Sequence, residues 1–151
     1  MIGLLQRVTE ASVTVDGARV GAIGPGLLVF VGVQRGDGPR ERDRLLERLL
    51  GYRVFADDAG RMNRGLRETG GGLLLVPQFT LAADTRKGAR PSFDTAAAPE
   101  HGQALFAELV AAAERAHEPV ASGRFGADMQ VQLINDGPVT FWLEVKPASG
   151  G

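Results

Sequence analysis

The sequence predicts an α+β fold: a single domain built on a largely antiparallel β-sheet or barrel with two helices. Three observations carry this. Short apolar runs bounded by turn residues recur along the chain, as in Leu27-Leu28-Val29-Phe30-Val31-Gly32-Val33 and Leu73-Leu74-Leu75-Val76. Two longer segments place apolar residues at helical spacing, each opened by a proline (Pro39 and Pro99). No linker, composition shift or internal repeat divides the 151 residues, a length that suits one domain. The domain is placed at residues 1–146, with a loose tail from Pro147 to Gly151.

The elements follow in order. Ile2 to Thr9 and Ser12 to Val15 read as strand, and Asp16-Gly17 as a hairpin turn into a return strand from Arg19 to Ile23. Gly24-Pro25-Gly26 breaks that strand. Leu27 to Val33 is a continuous apolar run, as expected of a strand buried on both faces. A helix starts at Pro39 and buries Leu45, Leu46, Leu49 and Leu50. Tyr52 to Phe55 reads as a short strand and Asp57-Asp58-Ala59-Gly60 as a turn. Leu73 to Val76 is a buried strand ending at Pro77, and a long polar loop runs from Asp84 to about Thr95. Loops of that length are uncommon unless they do something. A second helix from Pro99 buries Leu105, Phe106, Leu109, Val110 and Ala113. Val131 to Ile134 and Val139 to Val145 are two strands flanking a Gly-Pro break.

Composition removes several chemistries. There is no cysteine, so disulfides, thiolate nucleophiles and Cys-ligated metals are out. The two histidines, His101 and His117, stand at opposite ends of the second helix, ~24 Å apart at 1.5 Å per residue, too far to share one metal. A Ser-His-Asp triad and a zinc pattern are therefore not expected, nor is a metal or cofactor. No apolar run approaches the ~20 residues needed to cross a bilayer, and no signal-peptide core follows Met1, so no membrane partner and a cytoplasmic location are expected. The net charge of -1 gives no general basic surface. An RNA partner would have to use local clusters such as Arg86-Lys87-Gly88-Ala89-Arg90, or Arg61, Arg64 and Arg67, both of which also read as solvated loops.

Two segments concentrate polar groups where strands end: Pro77-Gln78-Phe79-Thr80-Leu81 and Asn135-Asp136-Gly137-Pro138-Val139-Thr140. If the first continues as strand, Gln78 and Thr80 share one face and Phe79 and Leu81 anchor the other. Thr80 without a nearby base is a weak nucleophile. The second segment is rich in turn formers and reads as a tight turn between strands.

Taken with Gln6-Arg7-Val8-Thr9, Ala11-Ser12-Val13, Leu81-Ala82-Ala83-Asp84-Thr85, Arg90-Pro91-Ser92-Phe93 and Gly123-Arg124-Phe125-Gly126-Ala127-Asp128-Met129, these segments resemble the D-aminoacyl-tRNA deacylases over nearly the whole chain. The resemblance implies a homodimer that removes D-amino acids from the aminoacylated 3′ end of tRNA, with active sites completed across the interface. It implies catalytic roles for Gln78, Phe79 and Thr80, with backbone N–H groups stabilising the oxyanion and a substrate ribose hydroxyl assisting. The motif also admits Thr80 as a nucleophile. The resemblance further implies that Gly137-Pro138 is cis and enters the partner's site, where its carbonyl oxygens block an L side chain. Arg7 would hold that dipeptide, and Phe125 and Met129 would line the pocket near the terminal adenosine. Cleavage of Gly-tRNA follows from the same exclusion logic.

One position departs from the family pattern. The common motif begins with serine, where this chain has Pro77. A sister group of tRNA deacylases carries proline here, has alanine two residues later and tolerates certain L-amino acids; Phe79 sets this chain with the D-specific enzymes. A tRNA-end binding module without turnover, suggested by the absence of a strong base, and the L-selective sister activity are the alternatives.

Overall fold

The longest pairings run along one strand. In the computed structural model, which describes residues 1–148, β1 (Ile2–Val15) is hydrogen-bonded along both edges. It turns at Asp16 and Gly17, both left-handed (φ 50° and 78°), the conformation a two-residue hairpin requires. β2 (Ala18–Ile23) and β3 (Gly26–Gly32) then lie end to end along one edge of β1, with Ala11 opposite Ile23 and Val8 opposite Gly26. After helix α1 (Pro39–Gly51) come the small hairpin β4 (Phe55–Ala56) and β5 (Met62–Arg64), and the single-turn helix α2 (Leu66–Thr69). β6 (Gly72–Pro77) pairs parallel with β3, α3 (Pro99–Ala116) crosses back, and β7 (Val120–Ser122) pairs parallel with β6. β8 (Gln130–Glu144) takes the other edge of β1, from Ile2–Glu144 to Thr14–Gln130.

The sheet is mixed and nearly closes into a barrel. β2 comes so near β7 that a Cβ on Gly21 would sit 2.8 Å from the Ser122 carbonyl oxygen; only glycine permits that approach. The apolar runs of β3 and β6 are continuous because both faces are covered, as alternation requires. Leu27, Val29, Leu73 and Leu75 pack beneath the helices with Leu45, Leu49, Leu105 and Leu109. Leu28, Leu74 and Val76 face the barrel interior with Val8, Val13 and Ile23. Both expected helices are present, each with proline in its first turn.

Three local expectations change. The short strand expected at Tyr52 to Phe55 begins only at Phe55 and pairs with β5. β5, β7 and α2, with three, three and four residues, are too short to leave a periodic signal. The two strands expected around Gly137-Pro138 form one continuous strand, β8, with a bulge. Gln6 pairs with Thr140 and Val8 with Asn135, so residues 136–139 bow out opposite Arg7 alone. The strand expected through Pro77 to Leu81 stops at Pro77, and Phe79–Ala82 is a 3-10 turn. Of the tail expected to be loose, residues 149–151 lie outside the described residues; Pro147 approaches Gly36, where a Cβ would lie 3.3 Å from it.

A buried polar knot steadies the end of the barrel where β3 meets α1. The Met1 ammonium donates to Asp37 Oδ1 (2.9 Å) and Gln34 Oε1 (3.0 Å). The Gln34 backbone N–H donates to Asp37 Oδ2 (2.7 Å). Burial pushes the Asp37 carboxyl above the ordinary range, and the Gln34 hydrogen bond opposes that rise. His101 on α3 approaches the Asp37 carbonyl at 2.6 Å, tying the start of α3 to the same knot.

Candidate active site

At the end of β6 the ladder passes to the next residue: the Gln78 N–H donates to the Val31 carbonyl (2.8 Å). Pro77 faces Val31 on one side, while β7 ends opposite Leu75 on the other, so the missing proline N–H breaks no ladder bond. The chain then tightens into the 3-10 turn. Leu81 N–H returns to Gln78 O (3.2 Å) and Ala83 N–H to Thr80 O (3.2 Å). The first N–H groups of such a turn have no carbonyl behind them, and those of Phe79 and Thr80 have no protein acceptor among the described residues.

This geometry corrects the alternating-face expectation. Gln78 and Thr80 do meet, but through a direct bond in which the Gln78 side-chain amide donates to the Thr80 hydroxyl. Leu81 packs against Gly32, where a Cβ would lie 2.9 Å from the Leu81 Cβ. Phe79 is no buried anchor; it is 60% exposed. No carboxylate or imidazole hydrogen-bonds the Thr80 hydroxyl among the described residues. His101 and His117 each approach a backbone carbonyl instead, those of Asp37 and Gly71, at 2.6 Å. No group of three His, Asp or Glu side chains comes together in a metal-binding arrangement among the described residues.

Beside the turn lies a cavity of about 490 Å³. Pro77, Gln78 and Phe79 form one wall, Phe125 and Met129 another, and Pro99, Gly102 and Phe106 of α3 the far side. The structure therefore brings four expected site residues to one cavity, while Thr80 does not line it and stands on the adjoining turn. Gly102 faces the Phe125 ring, which a Cβ there would meet at 3.4 Å, an ordinary contact distance. The Met129 sulfur accepts weakly from the Arg124 N–H at 3.4 Å.

Gly137 and Pro138 line no part of this cavity. They stand exposed on the β8 bulge opposite Arg7, four residues along β1 from the pair Gly3–Val31, or roughly 13 Å down the strand. Arg7 holds the base of the bulge. Its Nε donates to the Asp136 carbonyl (2.9 Å) and its Nη1 to the Val54 carbonyl (2.7 Å). Asn135, which the sequence placed in the second motif without a role of its own, spans the bulge: its Nδ2 faces Thr140 Oγ1 (3.0 Å) and Val139 O (3.2 Å), while its Oδ1 accepts the Val139 N–H (2.7 Å). Such local bonding is what Asn does in turns, and its place just before Asp-Gly-Pro was the available signal. The Gly137–Pro138 peptide bond is cis.

The polar loop after the turn is organised by one pair. Arg86 chelates Asp84 through Nε (2.9 Å) and Nη2 (2.8 Å) and adds its own N–H at 3.0 Å. These bonds hold the Asp84 carboxyl at about 2. The pair is thus complete above the ordinary carboxylate range and is lost only as pH falls through about 2. In an NMR titration Asp84 is expected to titrate at about 2, and Arg86→Gln is expected to return it toward the ordinary value of ~3.9. An ordinary value in the unmodified protein would show the chelate absent.

With this geometry in place, comparison with known proteins decides the family. The model of the D-Tyr-tRNA(Tyr) deacylase family matches residues 4–144. The chain belongs to that family. It is 68% identical over 147 residues to a D-aminoacyl-tRNA deacylase of Thioalkalivibrio sulfidiphilus, covering 97% of this chain and 99% of that one. It is 66% identical over 149 residues to the D-aminoacyl-tRNA deacylase of Alkalilimnicola ehrlichii, covering 99% of each. Among solved structures, one described as a c-Myc DNA unwinding element binding protein superposes with a TM-score of 0.92 at 36% identity, over 97% of this chain and 99% of that one. A probable eukaryotic D-amino acid tRNA deacylase shares the fold, with a TM-score of 0.76 at 19% identity over 95% and 98% of the two chains. The matched span takes in both deacylase motifs, the turn after β6 and the β8 bulge.

Proposed function

We propose that this chain, an aminoacyl-tRNA ester hydrolase by family, releases D-amino acids from the 3′ end of tRNA by positioning rather than by a protein nucleophile. The observation that carries this is the turn after β6. Among the described residues it leaves the Phe79 and Thr80 N–H groups without protein acceptors, next to a largely apolar cavity, and no carboxylate or imidazole hydrogen-bonds the Thr80 hydroxyl; the Asp128 carboxylate that lines the cavity makes no bond to it. Donors fixed in this way cost no reorganisation when charge develops on the ester oxygen. Water adds to the carbonyl, the acyl–oxygen bond breaks, and the ribose oxygen leaves with a proton. The neighbouring ribose hydroxyl of the substrate assists. The terminal adenosine occupies the cavity with Phe125 and Met129, where the aromatic ring offers a stacking face. An aminoacyl-tRNA substrate sets the work in the cytoplasm.

Gly137-Pro138 is the selectivity element, supplied by a second copy. Two features support this: the dipeptide is exposed away from its own chain's cavity, and the same strand carries the half-exposed Ile134 and Trp142 (52% and 51%). Exposed large apolar groups around a held bulge favour association. A dimer with two composite sites is therefore expected, and dilution to monomer should remove activity; a monomer with full rate and selectivity would defeat the composite site.

The direct test is turnover of D-Tyr-tRNA and L-Tyr-tRNA with and without a chelator. Cleavage of the D ester alone, indifferent to chelator, is expected. Binding without release would make the chain a tRNA-end binding module. Comparable cleavage of both esters would tie Pro77 to the L-tolerant sister group.

A further inference from the structure

Phe79 walls a second cavity. On the side away from Phe125 lies a space of about 630 Å³ lined by Arg35, Phe93, residues 96–99 and His101. The Phe79 and Phe93 rings stand 5.2 Å apart, tilted by 44°. Both are largely uncovered, at 60% and 42% exposure. Two open phenylalanines forgo burial worth having, and a patch of this kind marks an interaction site.

The charges around the patch narrow the occupant. No carboxylate lines this cavity among the described residues, although Asp94 follows Phe93 and Glu100 precedes His101 in the chain. Arg35 lines it, and Lys87 and Arg90 lie on the loop that carries Phe93. The side chains of these three cations make no ion pair or hydrogen bond among the described residues, whereas Arg86 is committed to Asp84. An apolar peptide would leave that positive charge unused, whereas the one carboxylate beside the Gly137-Pro138 dipeptide, Asp136, is already engaged by Arg7 of its own chain at 3.8 Å. A nucleotide would use both features: a flat base on an aromatic ring, and a phosphate near a cation.

We propose that this cavity receives the nucleotide preceding the terminal nucleoside of the tRNA, its base stacking on Phe93 and its phosphate facing Arg35. The inference rests on the reading that the neighbouring cavity holds the terminal adenosine. Phe79 would then divide two successive nucleosides, and the hydrolase would grip the single-stranded end by more than its last residue. Stacking tolerates any base, so the site senses that a nucleotide is there rather than which one it is.

The test compares kcat/KM on three soluble D-tyrosyl esters: of adenosine alone, of the dinucleotide cytidylyl-adenosine, and of a dinucleotide whose first residue is abasic. The dinucleotide should be favoured over the abasic analogue by on the order of tenfold. In Phe93→Ala that ratio should collapse towards one, while Phe93→Trp should keep it. Equal use of the dinucleotide and abasic esters by the unmodified enzyme would overturn the proposal. So would a ratio untouched by Phe93→Ala. Conversion of Phe93→Ala to monomers, read by sedimentation, would assign the patch to the contact between copies and overturn it as well. Failure to cleave any of the three D esters would instead sink the hydrolytic reading itself, whereas cleavage of all three at one rate sinks only the second-nucleotide site.

Discussion

Replacing Thr80 with proline is expected to lower kcat on D-aminoacyl-tRNA by roughly 10²–10³-fold, the usual cost of losing one oxyanion donor. Thr80→Ala is expected to cost less than about tenfold. The difference follows from which atoms each change removes. Alanine deletes the hydroxyl, whose one hydrogen bond among the described residues is from the Gln78 amide, and leaves the backbone N–H in place. Proline deletes that N–H and also presses Phe79 out of helical backbone geometry, disturbing both donors. Because Thr80 is exposed and its N–H is not spent on the protein, Thr80→Ala removes no bond that holds the fold and should melt near the unmodified protein, whereas Thr80→Pro also strains the turn closed by Leu81 N–H to Gln78 O, so its melting temperature is measured beside its kcat. Exchange of the amide before Thr80 for an ester by semisynthesis removes the N–H alone and should reproduce most of the proline effect. Thr80→Ala falling as far as Thr80→Pro, or a covalent ester trapped on Thr80, would return the hydroxyl to the centre of the mechanism.

The fold was legible wherever burial imposed a period. β3 and β6 announce themselves as unbroken apolar runs because α1 and α3 cover one face and the barrel fills the other. The helices announce themselves through Leu45 to Leu50 and Leu105 to Ala113, opened by Pro39 and Pro99. The site was legible as motifs and not as geometry. Alternation predicted that Gln78 and Thr80 would share one face of a strand; they bond directly across a 3-10 turn instead, because β6 runs out of partners at Pro77. Propensity made Asn135 to Pro138 an ordinary turn, since each of these residues favours one. The bulge depends on Arg7 reaching the Asp136 and Val54 carbonyls from another strand. No local pattern encodes a contact across 129 residues of chain. Phe93 was legible only as part of a motif, and its pairing with Phe79 required the 84–95 loop to fold back over the turn.

Glycyl esters are expected to be cleaved within roughly 10–200-fold of D-alanyl esters, the range that one missing methyl group spans. L-alanyl esters are expected to fall at least about a hundredfold below glycine. The reason is what an exclusion device can sense. If the Gly137-Pro138 carbonyls stand where an L side chain would project, the site tests for an atom in that direction and for nothing else. D-alanine puts its methyl elsewhere, and glycine has no atom to offer. A pocket that instead selected by gripping the D methyl would lose glycine along with L-alanine. Protection of correctly charged Gly-tRNA would then have to come from outside the pocket, as from a competing carrier protein. The dipeptide's own backbone supplies a control. Gly137 has φ +152°, and a Cβ there would lie 2.7 Å from both the Val139 nitrogen and its Cγ2. Gly137→Ala must therefore shift the bulge that Arg7 and Asn135 hold, and the L-alanyl to D-alanyl ratio should rise. Kinetics on matched glycyl, D-alanyl and L-alanyl esters decide the matter: glycine as resistant as L-alanine in the unmodified enzyme would mean that steric exclusion is not how the site selects.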